Sequence, residues 1–186
     1  SDAAIDDPQV LNHMIETLKN YSEIGAVGGV VEIAEGEWQV FEPVTFLNTL
    51  VIPQYLHRKN YPRTFVSLIC TANLLISRKV FELTNGFDES LPRNEDEDLC
   101  LTLKKLQYKS MQSGSTLVRH KLSKTGRDSG AFAHFQDSKK FIADLLKTRA
   151  LLNYKHNPWK LFILPILDVL TLFELFKGLK INNLKL

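Results

Sequence analysis

Cysteine is scarce in this sequence: Cys70 and Cys100 are the only two, they stand far apart, and neither belongs to a CxxC or His-rich spacing. That argues against a zinc-built fold and against a disulfide framework, and it leaves reduced thiols and a cytoplasmic address as the expectation. A long uninterrupted apolar run is also missing. The most apolar stretch, Leu161 through Phe176, is broken by Pro165, Asp168 and Glu174, and falls short of the roughly 20 apolar residues that a membrane-crossing helix needs. Internal repeats and low-complexity tracts are lacking, which argues against a solenoid or a disordered chain. The opening Ser1-Asp2-Ala3-Ala4 has no initiator Met, basic leader or apolar signal core, so the start reads as a cut inside a longer protein. No aromatic-and-basic RNA motif is found, which ranks a nucleic-acid binder last.

What is present suits one globular domain: 186 residues, 44% hydrophobic and 24% charged. The net charge of +2 hides an asymmetry, with ten Lys and Arg against sixteen Asp and Glu through Val118, and thirteen against five from Arg119 onward. A basic, partly apolar tail suits an anionic membrane surface or a nucleotide diphosphate.

Periodicity then outlines the elements. Asp7-Pro8 starts a helix whose apolar face is Val10, Leu11, Met14, Ile15 and Leu18. The continuous run Ala26 to Val31 reads as a strand buried on both faces, the kind that α/β sheets use. Residues 35–62 have no clean period. Phe65 to Cys70 and Leu74 to Ser77 are strand candidates, and Ser77 caps a helix from Arg78 that stops at the left-handed signal Asn85-Gly86. Asn94 begins a helix with Leu99, Leu103 and Leu106 on one stripe, Thr116-Leu117-Val118 is a final short strand, and residues 138–154 form another helix with Phe141, Leu145, Leu146 and Leu152 as its apolar members. Beyond it, Lys160, Asp168, Thr171, Glu174 and Lys177 share a polar face. That segment reads either as a helix packed on the domain or as one lying in the membrane interface with Trp159 and the lysines at its edge.

The segment that carries chemistry is Asn94-Glu95-Asp96-Glu97-Asp98-Leu99. On its own it reads as a capping box, Asn94 with Glu97, and acids in a first turn suit the helix dipole. Its surroundings add a second reading. The run Cys70-Thr71-Ala72-Asn73-Leu74-Leu75-Ile76-Ser77-Arg78-Lys79, then Asn85-Gly86-Phe87-Asp88-Glu89, then Glu95-Asp96-Glu97-Asp98-Leu99, then Leu106-Gln107-Tyr108 closely resembles the family 2 glycosyltransferases, with rhamnosyltransferase-like members the nearest pattern.

The resemblance implies an α/β fold of the GT-A kind, a mainly parallel sheet flanked by helices. Residues 1–130 would be the acceptor-side half of the catalytic domain, with the nucleotide-binding half missing, and residues 131–186 a helical, membrane-interfacial extension. It implies an inverting enzyme that moves a sugar from a nucleotide-diphosphate donor to a hydroxyl of a glycan or lipid-linked acceptor, in cell-surface polysaccharide synthesis at the inner face of a bacterial membrane. The fragment alone is expected to be inactive and to bind donor weakly.

Asp96 would take the acceptor proton, helped by Glu95, because a hydroxyl of high pKa needs a carboxylate within reach as the new bond forms. Glu95 and Asp98 would raise its pKa against the helix dipole. Asp2, as the survivor of an Asp-x-Asp motif, and His120 would hold a divalent cation, Mg or Mn, beside the diphosphate. Asn73, Trp38, Asp98 and Arg93 are candidate acceptor contacts, and Lys124 and Arg127 lie in a loop that could close over the diphosphate. The alternative is a non-catalytic glycan-binding or membrane-scaffold module that keeps the fold.

Overall fold

The computed structural model describes residues 3–5, 7–34, 37–39, 64–66, 68–120, 135–166 and 168–169. Two long strands form its centre, β2 (Ile24–Ala34) and β6 (Lys109–His120), and they pair in parallel. Four short strands edge them, each antiparallel to its neighbour. On the outer side of β2 lie β5 (Leu74–Ile76) and β3 (Glu37–Gln39); on the outer side of β6 lie β4 (Thr64–Val66) and β1 (Ala3–Ala4).

Helices cover both faces, as the buried run of β2 requires. On one side α1 (Gln9–Asn20) presses Val10 and Met14 onto Ile24, Val27 and Met111. Its start is fixed by Asp7, whose Oδ1 accepts from the Gln9 N–H at 2.8 Å, so the expected cap forms. Leu11, expected on the apolar face, is instead exposed. On the other side α2 (Arg78–Leu83) and α3 (Glu95–Lys105) contribute Val80, Leu99, Cys100 and Leu103 to a cluster with Ala26, Val66 and Ile69. Burying each such aliphatic side chain contributes about 1.5–3 kcal/mol.

Ser77 caps α2 by accepting from the Val80 N–H. Asn85 and Gly86 then take φ of 62° and 76°, and the Gly86 N–H returns to the Phe81 carbonyl, the stop expected from the sequence. The remaining long element, α4 (Phe135–His156), lies against α3 at its C-terminal end and leads into a 3-10 turn, Pro158–Phe162.

β6 is much longer than the expected Thr116-Leu117-Val118. Ser110, Gln112, Ser113 and Thr116 are polar in sequence yet buried, and Gln112 and Thr116 find partners inside the sheet. Gln112 Nε2 donates to the Gly29 carbonyl, and Thr116 Oγ1 to the Ser113 and Gly28 carbonyls. The close approach of these strands requires a glycine at position 29, since a Cβ there would collide with the Thr116 carbonyl and the Asn73 amide.

Candidate active site

α3 turns back into β6 through Gln107 at φ 66°, with the Tyr108 N–H bonded to the Leu103 carbonyl at 2.9 Å. Helix and strand are therefore antiparallel, and eleven residues of helix carry Glu95 about 16 Å back along the strand. At about 3.3 Å per strand residue that is about the middle of β6.

An open cleft of about 290 Å³ is found here, lined by Thr71, Phe87, Asp88, Glu89, Leu91 and Glu95. Its outer wall is the turn after α2. Asp88 Oδ1 in that turn accepts from both the Ser90 N–H at 3.0 Å and the Ser90 hydroxyl at 2.6 Å. Those bonds, with Lys155 beside the other oxygen, hold Asp88 down at about 2. Phe87 meets Phe81 edge to face at 5.3 Å between ring centres while remaining 43% exposed, so one flank is free to meet a ligand.

Asp96 sits half-buried behind Glu95 and Thr71, the two residues that line the cleft on its side. Its Oδ1 accepts from the Glu97 N–H at 2.9 Å, and the Thr71 backbone also bonds its carboxylate. Burial pushes its pKa from the ordinary 3.8 up to about 6, and the negative charge of Glu95 adds to that; the Glu97 N–H pulls the other way. The carboxylate is thus a stronger base than an ordinary aspartate and still largely ionised at neutral pH. Glu97, not Asp98 as expected, is the second acid that raises it.

Asp98 has another use. It is 2% exposed, and its oxygens are taken by Lys155 Nζ at 2.8 Å and His156 Nε2 at 2.6 Å. The expected acceptor contact is corrected accordingly: one turn of helix rotates this acid away from the cleft and onto α4. Asn73 is corrected in the same way. It is 5% exposed, and its Nδ2 donates to the Val30 carbonyl at 3.2 Å and the Thr116 carbonyl at 2.8 Å, bracing the two central strands instead of meeting a ligand.

The expected capping box is altered as well. Asn94 adopts a left-handed φ of 59° and makes no side-chain cap to the backbone; its Nδ2 donates to Glu97 Oε2 at 3.0 Å, so the two box residues bond each other. Arg93 lies half-buried just ahead of α3. Cys100 is buried, with its thiol pushed up to about 11, which suits a core residue and not a nucleophile.

Of the expected metal pair, Asp2 lies outside the described residues, and of His120 the backbone alone is described. Ala3, the chain neighbour of Asp2, pairs with His120 across β1 and β6. Among the described residues no group of three or more His, Cys, Asp or Glu could hold a metal ion. Lys124 and Arg127 lie outside the described residues, and Trp38 is described by its backbone in β3 alone.

The sequence does not mark the lining residues Thr71, Phe87, Asp88, Glu89 and Leu91 as contacts, although Phe87-Asp88-Glu89 belongs to the run that carries the resemblance. A turn residue's direction depends on what packs behind it, here Phe81 and Lys155. No protein-family model matches this chain, and no curated protein matches it.

Proposed function

We propose that this chain is the acceptor-side part of an inverting glycosyltransferase, moving a sugar from a nucleotide-diphosphate donor to a hydroxyl of a glycan or lipid-linked acceptor. The observation that carries this reading is Asp96: a carboxylate raised to about 6, behind the wall of an open cleft at the start of α3. In-line attack on an anomeric carbon requires a base that takes the hydroxyl proton as the bond forms, and efficiency is greatest when its pKa is near the working pH. Asp96 meets that condition, and Glu95 in the cleft wall keeps it basic. Phe87 offers an apolar face for a sugar ring, with Asp88 and Glu89 beside it as hydroxyl acceptors.

Asp2 and His120 are the residues that would hold a divalent cation, which would supply neutralisation of the diphosphate leaving group. Arg93 stays a candidate acceptor contact and Trp38 a candidate stacking surface, while Lys124 and Arg127 remain candidates for the diphosphate.

The address we propose is an anionic membrane surface. Trp159, Phe162, Ile166 and Val169 are 57%, 88%, 63% and 65% exposed, whereas Asp168 turns inward to Arg149 at 3.1 Å. Four apolar side chains of this segment thus face out while Leu164 is buried against the domain, and Lys160 lies over the Trp159 ring. An outward apolar face beside a basic tail suits anionic lipid. No helix among the described residues is long and apolar enough to cross a membrane.

The deciding experiment measures sugar transfer from a panel of nucleotide-diphosphate sugars by the protein that carries this chain, against Asp96→Asn. Turnover is expected to fall by about 10²–10⁴ or more while donor binding is retained. Unchanged turnover in the variant, or a biological role that survives it, refutes the assignment in favour of a non-catalytic module.

A further inference from the structure

One cluster of polar and charged groups joins the cleft wall to the far helix. Lys155 Nζ lies 2.8 Å from Asp98 Oδ2 and 3.0 Å from Asp88 Oδ2, and His156 Nε2 lies 2.6 Å from Asp98 Oδ1. Lys105 Nζ also donates to the Lys155 carbonyl at 2.6 Å, tying the last turn of α4 to the far end of α3. The participants come from the cleft-wall turn, from α3 and from the end of α4, brought together across more than fifty residues of sequence.

Stability alone is a poor reason for this arrangement. Asp98 and His156 have side chains 3% and 2% exposed, and apolar packing is often as stable as a buried ion cluster. His156 Nδ1 is buried without a hydrogen-bond partner among the described residues, a further cost. What the cluster supplies is position. Asp88 gives one oxygen to Ser90, which fixes the turn, and the other to Lys155, which fixes the turn to α3. Burial works against the Lys155 ammonium, but its bonds to Asp98 and Asp88 outweigh that and its pKa is raised, so it stays charged and both ends stay attached.

We propose that Lys155 is a positioning residue, a two-ended strut that holds the Asp88 turn against the first turn of α3 and so keeps the cleft wall closed over Asp96, with His156 anchoring the α3 end. Its importance for turnover rests on Asp96 being the base; its effect on Asp96 does not. Without the strut the wall loosens and water reaches Asp96. Glu95 and Glu97 on its own helix, Cys100 one turn on, and the Thr71 backbone across from it all stay in place.

The two ways that Lys155 could act on Asp96 have opposite signs. Direct loss of a nearby positive charge raises a carboxylate pKa, whereas rehydration lowers it. The test is a carbon-13 titration of the Asp96 carboxyl, with hydrogen exchange of residues 86–93, in the protein and in Lys155→Met and Lys155→Arg. In Lys155→Met the Asp96 pKa is expected to fall by at least one unit, a tenfold loss of proton affinity, with exchange in 86–93 at least tenfold faster and β2 and β6 unchanged. Lys155→Arg should restore both. An Asp96 pKa that stays or rises, or unchanged exchange in 86–93, overturns the strut. Should Lys155→Met loosen β2 and β6 as well, Asp88→Asn cuts the turn end alone, and an unmoved Asp96 there overturns the proposal equally. A fall in Asp96 pKa in a protein that shows no sugar transfer would keep the strut and sink the enzyme.

Discussion

Replacing Asp96 by Asn should make the protein more stable at neutral pH, and by an amount that depends on pH. The carboxyl is raised from 3.8 to about 6, roughly two units, and each unit corresponds to about 1.36 kcal/mol. The ceiling is therefore about 3 kcal/mol, and since the side chain is half-buried, water screens part of it and about 1–2 kcal/mol remains. The sign follows from proton counts: between about pH 4 and pH 6 the folded form binds the proton that the unfolded form has lost, so stability falls as pH rises through that window. Asparagine has no charge to desolvate and keeps an Oδ1 to accept from the Glu97 N–H. Thermal unfolding at about pH 8 should show the variant raised by about 2–8 °C, while at about pH 4 the two proteins should coincide. If Asp96→Asn is destabilised at pH 8, or shifted equally at both pH values, the carboxylate is a helix-end tie and its raised basicity is not real.

Three further outcomes are expected. In Glu95→Gln the second cause of the raised Asp96 pKa is gone, so the acidic limb of the transfer rate, which rises through about pH 6, should move to lower pH; a limb that does not move separates rate from Asp96. Gly29→Ala should cost about 3 kcal/mol or more, because the methyl meets the Thr116 carbonyl and the Asn73 amide in a closed interior; an unfolding free energy from denaturant within about 0.5 kcal/mol of the parent, the scatter of surface substitutions, would contradict the packing. Phe162→Asp with Ile166→Asp should release the protein from anionic vesicles in a flotation assay, as should deletion from Pro158 onward. Binding that survives both changes removes the segment from the interface.

How far the sequence spoke for this fold depended on whether local rules and tertiary context agreed. The starts and stops of α1 and α2 were legible because Asp7, Ser77 and Asn85-Gly86 act through their own neighbours. The first half of β6 was not. Lys109 to Gly114 carries a single large apolar side chain, Met111, and its polar neighbours are satisfied by hydrogen bonds from Gln112 and Thr116 to β2, more than eighty residues away. The same holds for Asn73, which looks like a ligand contact in sequence and proves to brace Val30 and Thr116. Polar residues inside a sheet cannot be told from polar residues in a cleft until their partners are known.

The four acids at the start of α3 make that limit concrete. Glu95, Asp96, Glu97 and Asp98 are nearly interchangeable by composition, and the dipole of the helix favours all of them alike. Helix geometry then turns each by about 100° from the last, so no two share an environment. Glu95 lines the cleft, Asp96 lies behind it against Thr71, Glu97 bonds Asn94, and Asp98 is driven inward to Lys155 and His156. The charges stay coupled while the roles divide. Asp98 is compensated by two basic side chains, whereas Glu95 and Glu97 are the acids that raise Asp96. On the proposed reading, the strut from α4 and the basicity of Asp96 belong to one device, with Asp98 locked against the domain and Glu95 and Glu97 left to act on Asp96.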